Sequence, residues 1–218
     1  MLEIITPSNE EVKKYNDGRE TLEDNVLQER TINKLFKEMA PNNTNLEDIM
    51  LKCSVLNDFY STNIFDVKPV ARHIKGLNID ERLKSWDPSL VNDIARVTMN
   101  WKERILYSFA SKYCSHHNFK EYPIFDDYVA KVLIYFQRKD KFYESGFNAK
   151  DLRDYAKFKD ILLKFISFYK LEFNELDSRL KDLDRYLRQL GKNSFPRQYQ
   201  KKKKSEKNES NQTNLTFQ

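Results

Sequence analysis

The stretch over residues 101–136 decides the fold, and it reads WKERILYSFASKYCSHHNFKEYPIFDDYVAKVLIYF. Its first part predicts a strongly apolar helix over residues 101–117, because apolar side chains recur there every three or four positions. A connection over residues 116–123 follows. A new helix then begins at Asp126 or Asp127, since aspartate is a favoured N-cap, and it again carries apolar residues at helical spacing. The stretch therefore predicts two core helices joined by a short connection.

The same spacing continues outward on both sides of this stretch. It predicts further helices over residues 21–39, 45–60, 66–75, 88–97, 155–170 and 173–190. Gly191 is a natural C-terminal stop for the last of them. Residues 1–20 are predicted to be an irregular lead-in, and no segment requires a strand. The sequence thus predicts an all-α fold, a compact multi-helix domain over residues 21–192.

Composition excludes several classes of protein. The 218 residues include only 4 glycines, and a Rossmann fingerprint, a P-loop or a turn-rich β-sandwich each needs glycine at fixed places. No run of eighteen apolar residues is present, so no transmembrane helix is expected. The first twenty residues do not make a signal peptide, and Cys53 and Cys114 are too few for a disulfide framework. These features predict a cytoplasmic protein with reduced thiols.

The positive charge is concentrated at one end. Residues 192–218 hold seven basic and two acidic side chains, which equals the whole net charge of +5. The tail over residues 193–218 is almost without apolar side chains and is predicted to be flexible. Its basic run, Lys201, Lys202, Lys203 and Lys204, could bind phosphate by releasing counterions, or could serve only as a solubilising tail.

The densest polar patch lies between the two central helices. Lys112 falls beside an apolar stripe, where desolvation would lower its pKa and favour a role as nucleophile. Asp126 is either a simple N-cap or a carboxylate that stabilises developing positive charge. Adjacent His116 and His117 point to different faces of a helix, and Cys114 with His116 is not a zinc spacing. We therefore predict no metal and no cofactor.

A second polar patch closes the helix over residues 45–60. Asn57, Tyr60, Ser61 and Thr62 offer several donors and acceptors at the end of an apolar helix. They could form a helix C-cap and turn, or the polar wall of a pocket that reads a flat hydrogen-bonding ligand such as a nucleobase.

Residues 46–192 resemble the helix-hairpin-helix base-excision superfamily, the DNA glycosylases related to endonuclease III. The segment Pro123-Ile-Phe-Asp-Asp-Tyr-Val129 is similar to the family's Pro-Val-Asp-Thr-His-Val-like segment, with one residue inserted, and Asp126 falls on its essential aspartate. Residues 183–192 are similar to a late helix of some members. The family's hairpin is rich in glycine, whereas residues 95–110 contain none. Fourteen residues separate Lys112 from Asp126, fewer than separate the Schiff-base lysine from the aspartate in the bifunctional members.

The resemblance implies a monomeric enzyme that flips a damaged or modified base out of double-stranded DNA and cleaves its N-glycosidic bond, in repair or in defence against phage. Asp126 would stabilise the positive charge on the sugar, and Lys112 would form a Schiff base that also permits strand cleavage. Asn57, Tyr60, Ser61, Thr62, Tyr113 and His116 would surround the base. Arg72 and the four tail lysines would contact phosphate. Two alternatives stay open: a non-catalytic nucleic-acid-binding module and a protein-interaction domain.

Overall fold

The computed structural model describes residues 4–20, 23–173 and 177–196, and this part of the chain is mostly helical. Ten helices follow one another: α1 (Asn9–Glu20), α2 (Glu23–Asn33), α3 (Leu46–Tyr60), α4 (Val67–Gly76), α5 (Asp80–Lys84), α6 (Ser89–Ala95), α7 (Tyr107–His117), α8 (Asp127–Asp140), α9 (Tyr155–Phe168) and α10 (Arg179–Ser194). A π-helical segment (Lys34–Met39) extends α2, and a 3₁₀ turn (Asp151–Arg153) precedes α9. Strands β1 (Arg96–Met99) and β2 (Lys102–Ile105) lie between α6 and α7. The all-α expectation is confirmed in its main feature.

The central helices begin where side chains cap their first turns. The Asn45 side chain accepts hydrogen bonds from the backbone N–H groups of Glu47 (2.8 Å) and Asp48 (3.2 Å) at the start of α3. The Asp126 side chain does the same for the Tyr128 N–H (2.8 Å) at the start of α8. Each cap satisfies backbone donors that a helix start leaves unpaired. Helices α3 with α4, α6 with α7, and α8 with α10 then pack around one core.

The prediction of an irregular lead-in over residues 1–20 is wrong, because α1 occupies most of it. The Ser8 hydroxyl accepts a hydrogen bond from the Glu11 N–H (3.3 Å) in the first turn of this helix. Val12 is buried, and the Tyr15 ring packs against Tyr186 of α10 with centroids 5.7 Å apart. The mostly polar composition of this segment hides a narrow apolar stripe, which is sufficient to join α1 to the core.

The predicted helix over residues 101–117 begins only at Tyr107. Its first residues form β2, which pairs with β1 in an antiparallel hairpin, so the expectation that no segment requires a strand was also wrong. Asn100 (φ 48°) and Trp101 (φ 62°) both adopt the left-handed backbone conformation at the tip. Two such residues form the turn that matches the twist of a two-residue hairpin, and this local geometry ends the helical pattern.

The sequence predicted that Gly191 ends the last helix. In the structure Gly191 lies inside α10. A Cβ at this position would lie 2.7 Å from the Tyr128 Cβ, so the glycine permits α10 to approach α8 closely. The helix continues to Ser194, two residues into the predicted tail. The rest of that tail, from residue 197, lies outside the described residues.

Candidate active site

A cavity of about 520 Å³ opens where the C-terminal end of α3 meets α7, the start of α8 and the last turns of α10. We call it the Lys112 cavity. Its lining includes Tyr60, Ser61, Lys112 and Asp126. The same four residues line an adjoining cavity of about 300 Å³. The larger volume lies within the roughly 300–1,000 Å³ of typical small-molecule sites. Four side chains that the sequence singled out are therefore brought together.

Lys112 reaches this cavity from the buried face of α7. The residue is only 3% exposed, and its Nζ donates to the Ser108 hydroxyl (2.5 Å) and the Ser108 carbonyl (3.3 Å). The amine also lies 5.3 Å from the centre of the Tyr60 ring. Burial lowers the pKa of Lys112, and the negative charges of Asp126 and Asp184 oppose that shift. Near neutral pH the amine is thus less firmly protonated than a surface lysine, which favours nucleophilic attack.

Asp126 is held by its position as the N-cap of α8. Its Oδ1 accepts the hydrogen bond from the Tyr128 N–H, and the residue is half-buried. Within the described part of the chain, Oδ2 accepts no hydrogen bond from another residue. The cap fixes the carboxylate at the cavity wall while one oxygen stays available to a ligand, so the two interpretations of Asp126 are compatible.

Tyr60 and His116 form a polar pair beside the Lys112 cavity. The Tyr60 hydroxyl lies 3.0 Å from His116 Nε2. Burial lowers the pKa of His116 to about 3, and the positive charge of Lys181 acts in the same direction. His116 is therefore neutral at physiological pH. It lines a third, smaller cavity of about 160 Å³, and Tyr60 lines all three.

Asn57 shapes the loop that follows α3 and lines none of the three cavities above. Its Nδ2 donates to the Ile64 carbonyl (3.0 Å), and its Oδ1 accepts from the Ile64 N–H (2.9 Å) and the Thr62 hydroxyl (2.8 Å). This clamp holds Ser61 (φ 47°) and Asn63 (φ 57°) in the left-handed conformation. Of these loop residues, Ser61, Thr62 and Asn63 line the 300 Å³ cavity. The turn-forming alternative therefore describes Asn57, whereas Ser61 and Thr62 lie on the cavity wall.

Tyr113 belongs to a different buried cluster. Its hydroxyl donates to Asn43 Oδ1 (2.6 Å), which also accepts from the fully buried Lys52 amine (2.7 Å). Lys52 donates further to the carbonyls of Ala40 (3.1 Å) and Asn42 (2.9 Å), and burial lowers its pKa to about 8. This network joins the loop before α3 to α7, and Tyr113 lines none of the three cavities above.

Of the predicted phosphate contacts, only Arg72 belongs to the described residues. Arg72 is exposed on α4 and lines none of the three cavities above. Lys201, Lys202, Lys203 and Lys204 lie outside the described residues, so the prediction for them is untested.

Helix α10 supplies basic side chains that the sequence interpretation missed. Arg188 and Lys192 line the Lys112 cavity, and the Arg188 guanidinium lies 6.0 Å from the centre of the Tyr60 ring. Lys181 and Arg185 continue the row toward α2, where both pair with Glu29 (2.6 Å from the Arg185 nitrogen to Oε1). The signal was available, because these four cations follow one another at three- and four-residue spacing on one helix face.

The described residues hold no group of three or more histidine, cysteine, aspartate or glutamate side chains placed to bind a metal ion. None of the helices described has both the length and the apolar character that a membrane span requires.

Comparison with known proteins identifies a family, but neither match below carries a known activity. The family model described as HI_0787_N, N-terminal domain, matches residues 11–122. An uncharacterized protein of Haemophilus influenzae is 46% identical over 155 residues, which cover 71% of this chain and 71% of that protein. No solved structure matches the chain.

Proposed function

The chain belongs to the HI_0787_N family, and from its own side chains we propose that it is a DNA glycosylase-like enzyme that removes a damaged or modified base. The observation that carries this proposal is the meeting of a buried amine, Lys112, and a half-buried carboxylate, Asp126, at one cavity. A flipped-out nucleotide would bring its base and sugar into this cavity.

The resemblance of residues 123–129 to the base-excision superfamily supports the same assignment of Asp126. It also suggests a helix-hairpin-helix glycosylase-like fold, in which the β1–β2 hairpin and α7 would stand where the family has its glycine-rich hairpin and the following helix. A two-stranded hairpin cannot present the backbone amides of a glycine-rich helical hairpin to phosphate. We propose that the cations of α10, Arg188 and Lys192, provide phosphate contacts in its place.

The chemistry follows from the two side chains. The neutral Lys112 amine attacks C1′ of the deoxyribose, the N-glycosidic bond breaks, and the base leaves with the bonding electron pair and takes up a proton. Positive charge grows on the sugar during this step, and the Asp126 carboxylate stabilises it. One of the two protons of the attached Lys112 nitrogen passes to the departing base, and transfer of the second to O4′ opens the sugar ring and gives a Schiff base, which water hydrolyses to an abasic site. The alternative is direct attack by a water molecule that Asp126 orients.

Purified protein incubated with labelled duplexes that carry different modified bases, and with phage DNA, tests the proposal. Alkali-labile breaks would report base loss, and borohydride would trap a Schiff base. We expect Asp126→Asn to abolish base loss, since asparagine keeps the N-cap but removes the charge. Asp66→Asn, at the N-cap of α4, is the matched control and should stay active, since Asp66 caps its helix in the same way and lines none of the three cavities. Lys112→Gln should abolish borohydride trapping. The second buried amine, Lys52, is intact in this variant, so loss of trapping would assign the Schiff base to Lys112.

Base loss that survives Asp126→Asn would refute the assigned mechanism. Absence of base loss on every substrate would favour the non-catalytic alternative, in which the α10 cations would serve binding alone.

A further inference from the structure

The β1–β2 hairpin ends in an aromatic side chain that the fold does not use. Trp101 is 99% exposed, and no described residue contacts it through a hydrogen bond or a ring interaction. It also holds the left-handed backbone conformation (φ 62°), which a bulky residue rarely adopts. A side chain that buries no surface and is unfavourable for its backbone does not stabilise the hairpin. Its presence points to contact with a ligand.

The hairpin also carries exposed cations. Arg96, Lys102 and Arg104 are exposed on the two strands, against the single acidic residue Glu103. Lys102 follows Trp101 at the tip, whereas Arg96 and Arg104 lie toward the other end of the hairpin. None of the three cations makes a salt bridge within the described part of the chain. The hairpin therefore combines an exposed aromatic ring at its tip with unpaired positive charge along its strands, the combination with which proteins bind unpaired nucleic acid strands.

The hairpin also leads directly to the candidate active site. Ile105, at the end of β2, and the following Leu106 line the 300 Å³ cavity together with Lys112 and Asp126. Four residues of extended chain from Trp101 to Ile105 span about 13 Å. That length corresponds to about four nucleotides of one stacked strand. A strand that places one nucleotide in the cavity can thus reach the tip of the hairpin.

A second exposed ring closely follows, in the sequence, the other segment that lines this cavity. Phe65 is fully exposed and follows Thr62 and Asn63, which line that cavity. Two unburied aromatic side chains therefore belong to the two segments that form its walls.

We propose that Trp101 stacks on a nucleobase that has left the double helix, on the DNA strand that enters the cavity. Arg96, Lys102 and Arg104 bind the phosphates of that strand, and Phe65 offers a second stacking surface. The identity of the strand rests on the proposed function; the stacking itself does not require catalysis.

Tryptophan fluorescence gives a direct test. The protein has 2 tryptophans; the other, Trp86, packs edge-on against Tyr122 with ring centroids 4.8 Å apart. In the Trp86→Phe variant all tryptophan emission comes from Trp101. We expect a duplex with one unpaired adenine, or a single-stranded oligonucleotide, to quench this emission, and a fully paired duplex to quench it less.

Affinity provides the second measurement. Trp101→Asn keeps a residue that the left-handed tip accommodates. Since stacking on one aromatic side chain is worth about 5- to 150-fold in affinity, the variant should bind the unpaired-adenine duplex weaker by that factor. Phe168→Ala is the control and should bind like the original protein, since Phe168 is an exposed aromatic residue on α9 that lines none of the three cavities described above.

The outcomes separate the two proposals. Base excision without quenching of Trp101, and with unchanged affinity of Trp101→Asn, would overturn the stacking inference and leave the glycosylase proposal standing. Quenching and weakened binding without base excision would do the opposite. If Trp101 emission shifts with phosphatidylserine vesicles and not with DNA, the hairpin contacts lipid and the stacking inference is wrong.

Discussion

The close approach of α10 to α8 makes Gly191 the position where the smallest substitution should have the largest effect. In Gly191→Ala the new Cβ would lie 2.7 Å from the Tyr128 Cβ, 2.8 Å from its carbonyl oxygen and 3.0 Å from its carbonyl carbon. Two of these atoms are backbone, so the contact is relieved only if the helices separate. Overpacking of this kind costs about 1–3 kcal/mol, and the helix preference of alanine returns about 0.5–1 kcal/mol. We expect a net destabilisation centred near about 1 kcal/mol and at most about 2.5 kcal/mol.

The matched control is Gly18→Ala in α1, where an added Cβ meets no atom within 4 Å. There only the helix preference acts, and we expect stabilisation of about 0.5–1 kcal/mol. Thermal unfolding followed by circular dichroism measures both variants. At about 2–4 °C per kcal/mol for a chain of this size, Gly191→Ala should lower Tm by roughly 2–8 °C and Gly18→Ala should raise it slightly.

The same variant reports on the site. Tyr128 of α8 and Arg188 and Lys192 of α10 line the Lys112 cavity, so separation of the helices would widen it. At a temperature where Gly191→Ala is fully folded, we expect weaker DNA binding and slower base excision than in the original protein. A Gly191→Ala protein as stable as Gly18→Ala, with unchanged activity, would refute the reasoning about helix contact.

Three further predictions concern the surroundings of the cavity. Because the unfolded chain binds a proton at His116 below about pH 6.5 and the folded chain only near pH 3, stability should fall as pH drops through this window, by about 3 kcal/mol between pH 7 and pH 4. Urea unfolding should show a weaker pH dependence in His116→Asn; an equal dependence would contradict the burial argument. Asn57→Ala should lower the free energy of unfolding by about 1–3 kcal/mol, because it leaves the Ile64 backbone groups without their hydrogen-bond partners. Urea unfolding measures this loss, and a loss below about 0.5 kcal/mol would contradict the role of Asn57 as a clamp. Cys53 and Cys114 are fully buried, and burial raises the pKa of Cys53 to about 12 and the pKa of Cys114 further. A colorimetric thiol reagent should therefore react with neither cysteine until urea unfolds the protein. Rapid labelling of the native protein would contradict this and show that the core opens locally.

Helices with strong apolar periodicity were predictable from the sequence. The spacing of apolar residues and the N-cap residues Asn45 and Asp126 placed α3 and α8 within a residue or two of their observed starts. These elements depend on local chemistry, which a sequence displays directly.

Elements that depend on distant partners were not predictable in the same way. Helix α1 is polar apart from a narrow stripe, and it is ordered by contacts such as that of Tyr15 with Tyr186, far away in the chain. The hairpin has a tip of Asn100 and Trp101 in place of the asparagine–glycine pair that would signal such a turn. Gly191 looked like a helix end because a close approach to another helix leaves no mark in the sequence except the glycine itself.

The candidate site was predictable only where its residues depend on local chemistry. Lys112 and Asp126 stood out because each lies next to local features, an apolar stripe and a helix start. Asn57 and Tyr113 face away from the cavity, since each satisfies a nearby polar group instead. The contribution of Arg188 depends on how α10 crosses α8, which is a property of packing and not of spacing along the chain.

The order in which the cavity walls are synthesised has a consequence for the cell. Residues 59–63 and 105–112 are synthesised before α10, which adds Arg188 and Lys192 and is the last described helix to emerge from the ribosome. Until α10 docks, Lys112 lacks part of its cover, so burial lowers the pKa of its amine less than in the folded protein. For the proposed function, a nascent chain would therefore carry a poorer nucleophile until α10 is in place.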